Sequence, residues 1–266
     1  MLHNLRQLFR YRGLIQSLVA RELKARYRGS VLGFFWSFIN PLLLLGIYSF
    51  VFTFVLPNRP PKLEPYSLFM FCGILPWTWF SASLAESSQV LISGGNLIKK
   101  VLFPAEVLPI VTVLANMMHF LFGLPILFLF IIYYKHAVLS VPELLWLPVV
   151  IVVQLVLTIG FALLLSAITV HFRDVKDILG NVLTFWFFAT PIIYPMLDEI
   201  VPPLGRSVLN LNPFTHLAVS YQEILFYPGP FGHWRGLLAL AAASVLLFLA
   251  GYFVFDRLRD SFAEEV

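Results

Sequence analysis

Apolar residues in this chain gather into six runs, 31–56, 66–90, 105–134, 144–172, 178–196 and 237–255, each dominated by Leu, Ile, Val, Phe and Ala. A helix needs about 20 such residues to cross the hydrocarbon core of a bilayer, and each run is near or above that length. The pattern predicts an all-α membrane protein whose residues 31–266 form one six-span domain. Residues 1–30 follow a different pattern. Tyr11, Leu14, Ile15 and Leu18 recur at i, i+3, i+4 and i+7, while Arg21, Lys24 and Arg28 share a stripe on another face. This predicts an amphipathic helix that turns at Arg28-Gly29-Ser30 and runs straight into the first span. Its apolar side can bury in the acyl boundary while its cations meet anionic headgroups or a partner's carboxylates. Glu22 intrudes on the apolar face, and Arg26, four residues on, is placed to pair with it.

Composition agrees with the runs. Hydrophobic residues make up 59% of the 266, charged residues 12%, and the mean hydropathy is +0.86. A water-soluble surface cannot be assembled from that inventory, so the chain is expected to be integral to a membrane. Arg6, Arg10 and Arg12 are not followed by an uninterrupted apolar stretch and a small-residue cleavage site, so no cleaved signal peptide is expected. The single cysteine, Cys72, falls inside a span and excludes an intrachain disulfide and any Cys-based metal motif.

An even number of spans puts both termini on one side. With the N-terminus inside, thirteen basic residues, from Arg6 through Lys99, Lys100, Arg173, Lys176, Arg257 and Arg259, face the cytoplasm, and only Arg59, Lys62, Lys135, Arg206 and Arg235 lie outside. That is the asymmetry of the positive-inside rule, and Trp146 and Trp234 sit where an interfacial aromatic belt is expected. Two connections are more than loops. Ser93 to Pro104 is polar, contains Gly94-Gly95, Asn96, Lys99 and Lys100, and is read as a short helix parallel to the membrane on the cytoplasmic side. Leu197 to Arg235 is too long to be structureless in a compact protein. Within it, Phe214, Leu217, Tyr221, Ile224 and Leu225 keep a helical period after Asn212-Pro213 until Pro228-Gly229-Pro230 ends it. One or two short helices dipping back into the membrane are expected, which requires protein or water to satisfy their backbone.

Chemistry for catalysis is sparse. No glycine-rich phosphate loop is present, since Gly94-Gly95 before Lys99-Lys100 lacks both the spacing and the preceding strand, so the chain itself is not expected to hydrolyse ATP. His3, His119, His136, His171, His216 and His233 are scattered, without partners at ligand spacing, and no metal is expected. Asp198-Glu199, the one adjacent acidic pair outside, reads as a solvated loop end. No catalytic residue is assigned. Ionisable groups within spans are costly and are functional candidates by default. Glu86 and Glu106 lie near span ends, where each either reaches the interface or serves a function, while Asn116, His119, Gln154 and Asn181 suit hydrogen bonds between helices.

Aromatic residues are the unusual stock: 27 Phe, 10 Tyr and 6 Trp. They concentrate at Phe34, Phe35, Trp36 and Phe38, at Tyr48, Phe50, Phe52 and Phe54, and at Phe185, Trp186, Phe187, Phe188 and Tyr194. Most must face lipid or the bundle core. A minority facing a lumen would offer flat surfaces with polar tips, on which sugar rings can stack and slide.

Four stretches carry a resemblance. Glu22 to Leu43, ELKARYRGSVLGFFWSFINPLL, is similar to the opening of permease subunits of ATP-binding-cassette exporters for O-antigen and related cell-surface polysaccharides. HFRDVKDI from His171, TPIIYP from Thr190 and LNPFTHLAVSYQEILF from Leu211 resemble the same family in the same order, and the similarity covers essentially the whole chain. The resemblance implies a six-span subunit that pairs with a second copy of itself to form a homodimeric pore. Two copies of a separate nucleotide-binding ATPase, carrying ATP and Mg, would dock on the cytoplasmic face. It assigns Arg21, Lys24, Arg26, Arg28, Asn96, Lys99 and Lys100 to ATPase docking, through an interface helix and a coupling helix. Trp36, Tyr48, Phe185, Trp186 and Tyr194, on spans one and five, would line the path, and Asn212, Pro213, Phe214 and Tyr221 would belong to the outer gate. The implied cargo is a lipid-linked glycan made inside and exported through a bacterial inner membrane, with no role for nucleic acid. Teichoic acid, capsule or a small lipid are the near alternatives for cargo. A membrane-embedded glycosyltransferase would need more convergent acids than Asp198, Glu199 and Arg206 provide, and a passive channel would need no ATPase.

Overall fold

The computed structural model describes residues 11–55, 63–95, 104–134, 141–197 and 200–265, and these are helical throughout, with irregular connections. Helix α1 spans Arg12–Arg26 and has no fully buried residue. The chain then turns through Gly29 (φ +80°) and Gly33 (φ +48°), left-handed conformations in which a Cβ would be strained. A short 3₁₀ turn, Gly33–Phe35, leads into α2, Trp36–Phe50, which ends in one π turn over Val51–Val55. Helices α3 (Tyr66–Ser93), α4 (Val107–Tyr133), α5 (Val141–Leu144), α6 (Trp146–His171) and α7 (Val175–Phe188) follow. Two short helices, α8 (Pro203–Leu209) and α9 (Pro213–Leu225), precede α10 (Trp234–Leu258), a 3₁₀ turn and the terminal α11 (Phe262–Glu265).

Helix α3 is the central post. It packs against α2, α4, α6, α7 and α9, and Phe69, Phe71, Cys72 and Phe80 are wholly buried along it. The pair α6 and α10 is held closest, because Gly160 and Gly251 let the backbones meet. A Cβ on Gly251 would lie 2.4 Å from the Gly160 carbonyl oxygen, and one on Gly160 2.9 Å from the Phe248 nitrogen. Small residues at such crossings replace the hydrophobic drive that lipid removes. A second, smaller apolar cluster, Leu91, Ala105, Leu163, Val170, Tyr252, Phe255 and Phe262, ties the C-terminal turns to the end of the bundle where α3 stops and α4 starts.

Five described helices are long and apolar enough to cross a membrane: Gly33–Phe50, Tyr66–Ser93, Val107–Tyr133, Pro142–His171 and Trp234–Ser261. The expected continuous helix over 178–196 is not among them. Helix α7 has 14 residues, about 21 Å at 1.5 Å per residue, and stops at Phe188. The sequence run counted Thr190–Met196 as apolar, but Pro191 and Pro195 lack the N–H a helix requires and disfavour helix at the residue before them. In the irregular chain beyond α7, three backbone carbonyls find their partners in side chains. Asn212 Nδ2 donates to the Ala189 carbonyl at 2.9 Å, Gln222 Nε2 to that of Pro191 at 2.8 Å, and the Tyr66 hydroxyl to that of Ile193. Helix α9 is sunk into the bundle, with Phe214, Leu217, Ala218 and Tyr221 fully buried against α3, α6 and α10.

Candidate functional site

The basic stripe of α1 divides. Arg21, Lys24 and Arg28 are exposed, whereas Arg26 turns into the bundle. Arg26 Nη1 donates to Asn116 Oδ1 at 2.9 Å and Nη2 to a Glu86 carboxylate oxygen. Asn116 Nδ2 donates to that same Glu86 oxygen at 2.7 Å. The Glu22–Arg26 pair expected from spacing is present but long, at 3.9 Å. Glu86 and Asn116, read separately from sequence as an interface acid and a helix glue, thus form one knot that fastens α1 to α3 and α4. Beside it the Tyr27 hydroxyl meets Ser37 Oγ at 2.8 Å and His119 Nδ1 at 3.2 Å. Arg26, Asn116, Tyr27, Ser37 and His119 rim a cavity of about 360 Å³. Its walls include Trp36, whose Nε1 donates to Ser30 Oγ at 3.0 Å, together with Asn40, Thr78, Trp79 and Phe120. Asn96, Lys99 and Lys100 lie outside the described residues.

The candidate path residues separate by surroundings. Phe185 is 75% exposed on α7, and Tyr48 and Tyr194 are half-buried, the latter donating to the Phe188 carbonyl at 3.2 Å. Trp186 sits in an aromatic box with Phe80 at 5.2 Å, Phe161 at 5.6 Å and Trp77 at 6.4 Å between ring centroids. Its Nε1 donates to Asn212 Oδ1 at 2.7 Å.

Asn212 is the most connected of the gate candidates. It is the N-cap of α9, accepting from the Phe214 N–H at 2.9 Å with Pro213 as the first helical residue, a sequence signature of a helix start. Its amide nitrogen donates to Ala189 O and to Thr190 Oγ1, so one side chain closes the end of α7 onto the start of α9. Phe214 packs edge-on against Trp77 at 4.9 Å. Tyr221 is fully buried beside Phe120.

A second polar cluster, missed by sequence reasoning, runs along α9 from His216 to Glu223 and meets the start of α10. His216 and His233, read above as scattered, meet with Nδ1 and Nε2 2.8 Å apart. Glu223 accepts from the backbone N–H groups of Gly232 at 3.0 Å and His233 at 2.9 Å. Burial, and secondarily His216, push the His233 pKa down to about 4. Burial and then the Glu223 carboxylate raise Tyr227 to about 12. A cavity of about 520 Å³ opens here, lined by Arg206, Asn210, Gln222, Glu223, Tyr227 and His233. Only the flanking turn signal, Pro228-Gly229-Pro230, hinted that residues 17 positions apart return to one place. Among the described residues no group of three or more His, Cys, Asp or Glu side chains could hold a metal ion.

Residues 13–226 match the family model for the ABC-2 type transporter. The chain is 43% identical over 272 residues to an O-antigen export system permease protein, RfbA, of Myxococcus xanthus, covering 100% of both chains. A Klebsiella pneumoniae protein of the same name is 31% identical over 99% of this chain and 98% of its own. The polysialic acid transport protein KpsM of Escherichia coli is 22% identical over 89% of this chain and 90% of its own. With helices long and apolar enough for a membrane along the length of that match, the chain belongs to the ABC-2 type transporter membrane family.

Proposed function

We propose that this chain is the permease subunit of an exporter that moves lipid-linked polysaccharide of the O-antigen type across a bacterial inner membrane. The observation that carries the reading is the 43% identity over the full length of both chains to a protein named for O-antigen export. ATP and Mg belong on a separate chain, because this sequence holds no phosphate-cradling loop. In this reading two copies pair around the path, with the exposed face of α2 (Leu42, Leu43, Ile47, Phe50) and that of α7 (Ile178, Val182, Phe185) turned toward each other or toward lipid. Helix α7 and the irregular segment after it together make the sixth crossing. Both termini then lie in the cytoplasm. Exposed Arg21, Lys24 and Arg28, with Asn96, Lys99 and Lys100, meet the ATPase, while Trp36, Tyr48, Phe185, Trp186 and Tyr194 serve the path. Asn212, Pro213, Phe214 and Tyr221 serve the outer gate.

The likeness to a polysialic acid transport protein keeps capsule as the second reading of the cargo. Deleting the gene and scoring surface glycan class tests both: loss of O-antigen with capsule intact supports the first, and the reverse outcome overturns it. Single cysteines at Asn58 and Asn210 are expected to label from outside, and those at Asn96 and Ser261 only after the membrane is opened. External labelling at Asn96 would overturn the orientation.

A further inference from the structure

His216 and His233 have fixed tautomers. His216 Nε2 lies 3.0 Å from the Asn210 carbonyl, which can only accept, so that nitrogen carries the hydrogen. In neutral His216 the other nitrogen, Nδ1, is then bare and accepts from His233 Nε2 at 2.8 Å. The hydrogen bonds run in one direction, from His233 to His216 to Asn210. The pair joins three pieces of chain: the connection after α8, the second turn of α9, and His233, which is the N-cap residue of α10. The rings stack at 5.1 Å with 26° between their planes. Space for them exists because residue 236 is glycine, where a Cβ would lie 2.5 Å from His233 Nε2 and 2.8 Å from His216 Nδ1. The Glu223 carboxylate pins the backbone of the same corner.

We propose that the His216–His233 pair is a proton-operated clamp that holds the α8–α9 segment to the start of α10 when neutral and releases it in acid. Closed, the pair cannot carry two extra protons, because both facing nitrogens would then bear hydrogens. Released, each imidazole is free to take one. The neighbouring 520 Å³ cavity has His233 in its wall and so gives protons a route to it. The groups around the pair are Arg206 on α8, Glu223 on α9, Tyr227 in the turn, Glu143 on α5 packed against α9, and Arg235 on α10. Two of these are cations and two are carboxylates, so the local field does not by itself decide the charge on the rings.

The sign follows from linkage. His233 titrates near 4 in place against 6.5 when free, so between those values the released state holds more protons than the clamped one. The released-to-clamped ratio therefore rises as pH falls from 6.5 towards 4, by about fivefold over the first unit and at most about tenfold per unit, and is nearly constant outside that window. The clamp lies in the segment assigned to the outer gate, and that assignment rests on the proposed function, but the clamp itself is measurable on the chain alone.

The test is hydrogen exchange of the full chain in lipid nanodiscs between pH 7.5 and 5, corrected for intrinsic exchange, with α6 as the internal reference. Amides of α9 and residues 226–236 are expected to open about 25-fold more at pH 5 than at pH 7.5, nearly all of it below pH 7, while α6 does not. His233→Gln keeps a side-chain N–H donor but does not titrate, and is expected to remove the pH dependence. Gly236→Ala is expected to release the segment already at pH 7.5. Should either variant fail to fold, ring ¹⁵N spectra of the unaltered protein at pH 7.5 still decide, since both residues must carry hydrogen on Nε2 alone. The proposal is overturned by the opposite tautomer at either ring, by flat exchange in the unaltered chain, or by the same pH response in His233→Gln. Surface glycan at external pH 5.5 against 7.5 is scored separately. Normal exchange behaviour with pH-independent export would leave the clamp standing and remove it from gating.

Discussion

Helices α2 and α3 are neighbours in sequence, similar in apolar content and opposite in environment. Across an apolar 18-residue window α3 is 78% buried within the chain, whereas the first span, Gly33–Phe50, is 11% buried. Hydropathy cannot tell them apart, because lipid and protein interior satisfy an apolar side chain equally well. What separates them is partners. Helix α3 is surrounded by five helices; α2 touches α3 and α4 and leaves Leu42, Leu43, Ile47 and Phe50 open. If two copies pair around a path as proposed, the scaffold lies in the first kind of helix and the free surface in the second.

The sharpest break of that contrast is to truncate aromatics on each side. Phe80→Ala or Phe214→Ala, both wholly buried in the box around Trp77, is expected to cost about 3–5 kcal/mol, read as loss of folded protein and a lower melting temperature in nanodiscs. Phe50→Ala and Phe185→Ala, 59% and 75% exposed, are expected to leave folding intact; equal losses in both sets would erase the distinction. Next in size is the α6–α10 crossing. Gly160→Leu forces apart backbones already in contact and is expected to destabilise by about 1–3 kcal/mol, while Gly180→Leu on α7, which faces open space, is expected to fold normally in the same melting assay.

Smaller still is Asn212→Ala, which removes the α9 cap and the ties to Trp186, Ala189 and Thr190 together. The cap alone contributes about 1 kcal/mol, and protease nicking near residue 190 should increase first. The smallest effects belong to α1. Arg26→Ala leaves the partly exposed Glu86 and the buried Asn116 without their cation and is expected to cost about 1 kcal/mol. Export per ATP hydrolysed should fall further than stability does, with partial rescue when Arg26→Glu is combined with Glu86→Arg to exchange the two charges. Alanine at exposed Arg21, Lys24 or Arg28 should each change stability by less than about 0.5 kcal/mol.

How far each region was legible follows the range of the interaction involved. The start of α9 was readable because Asn212-Pro213 is a local device whose partners lie within two residues. The Arg26–Glu86–Asn116 knot was not, since Glu86 and Asn116 lie 60 and 90 positions from Arg26 and each residue alone has an ordinary interfacial explanation. The same holds for His216 and His233. Thr190 to Tyr194 misled for the opposite reason: the apolar content of the run outweighed its prolines, and distant side chains, Tyr66 of α3, the α9 cap Asn212 and Gln222 of α9, help make non-helical backbone tolerable there.

The sequence by itself determined that this is a helical membrane protein and that five long apolar helices lie along it. Those features depend on span length and on glycine and proline stereochemistry, which act within a few residues of chain. The tertiary structure alone decided which span is central, that Arg26 turns inward while its neighbours stay outside, and that two distant histidines share one hydrogen bond. Such pairings cost chain entropy to bring together and are specified by the whole set of helix contacts at once, so no local pattern announces them.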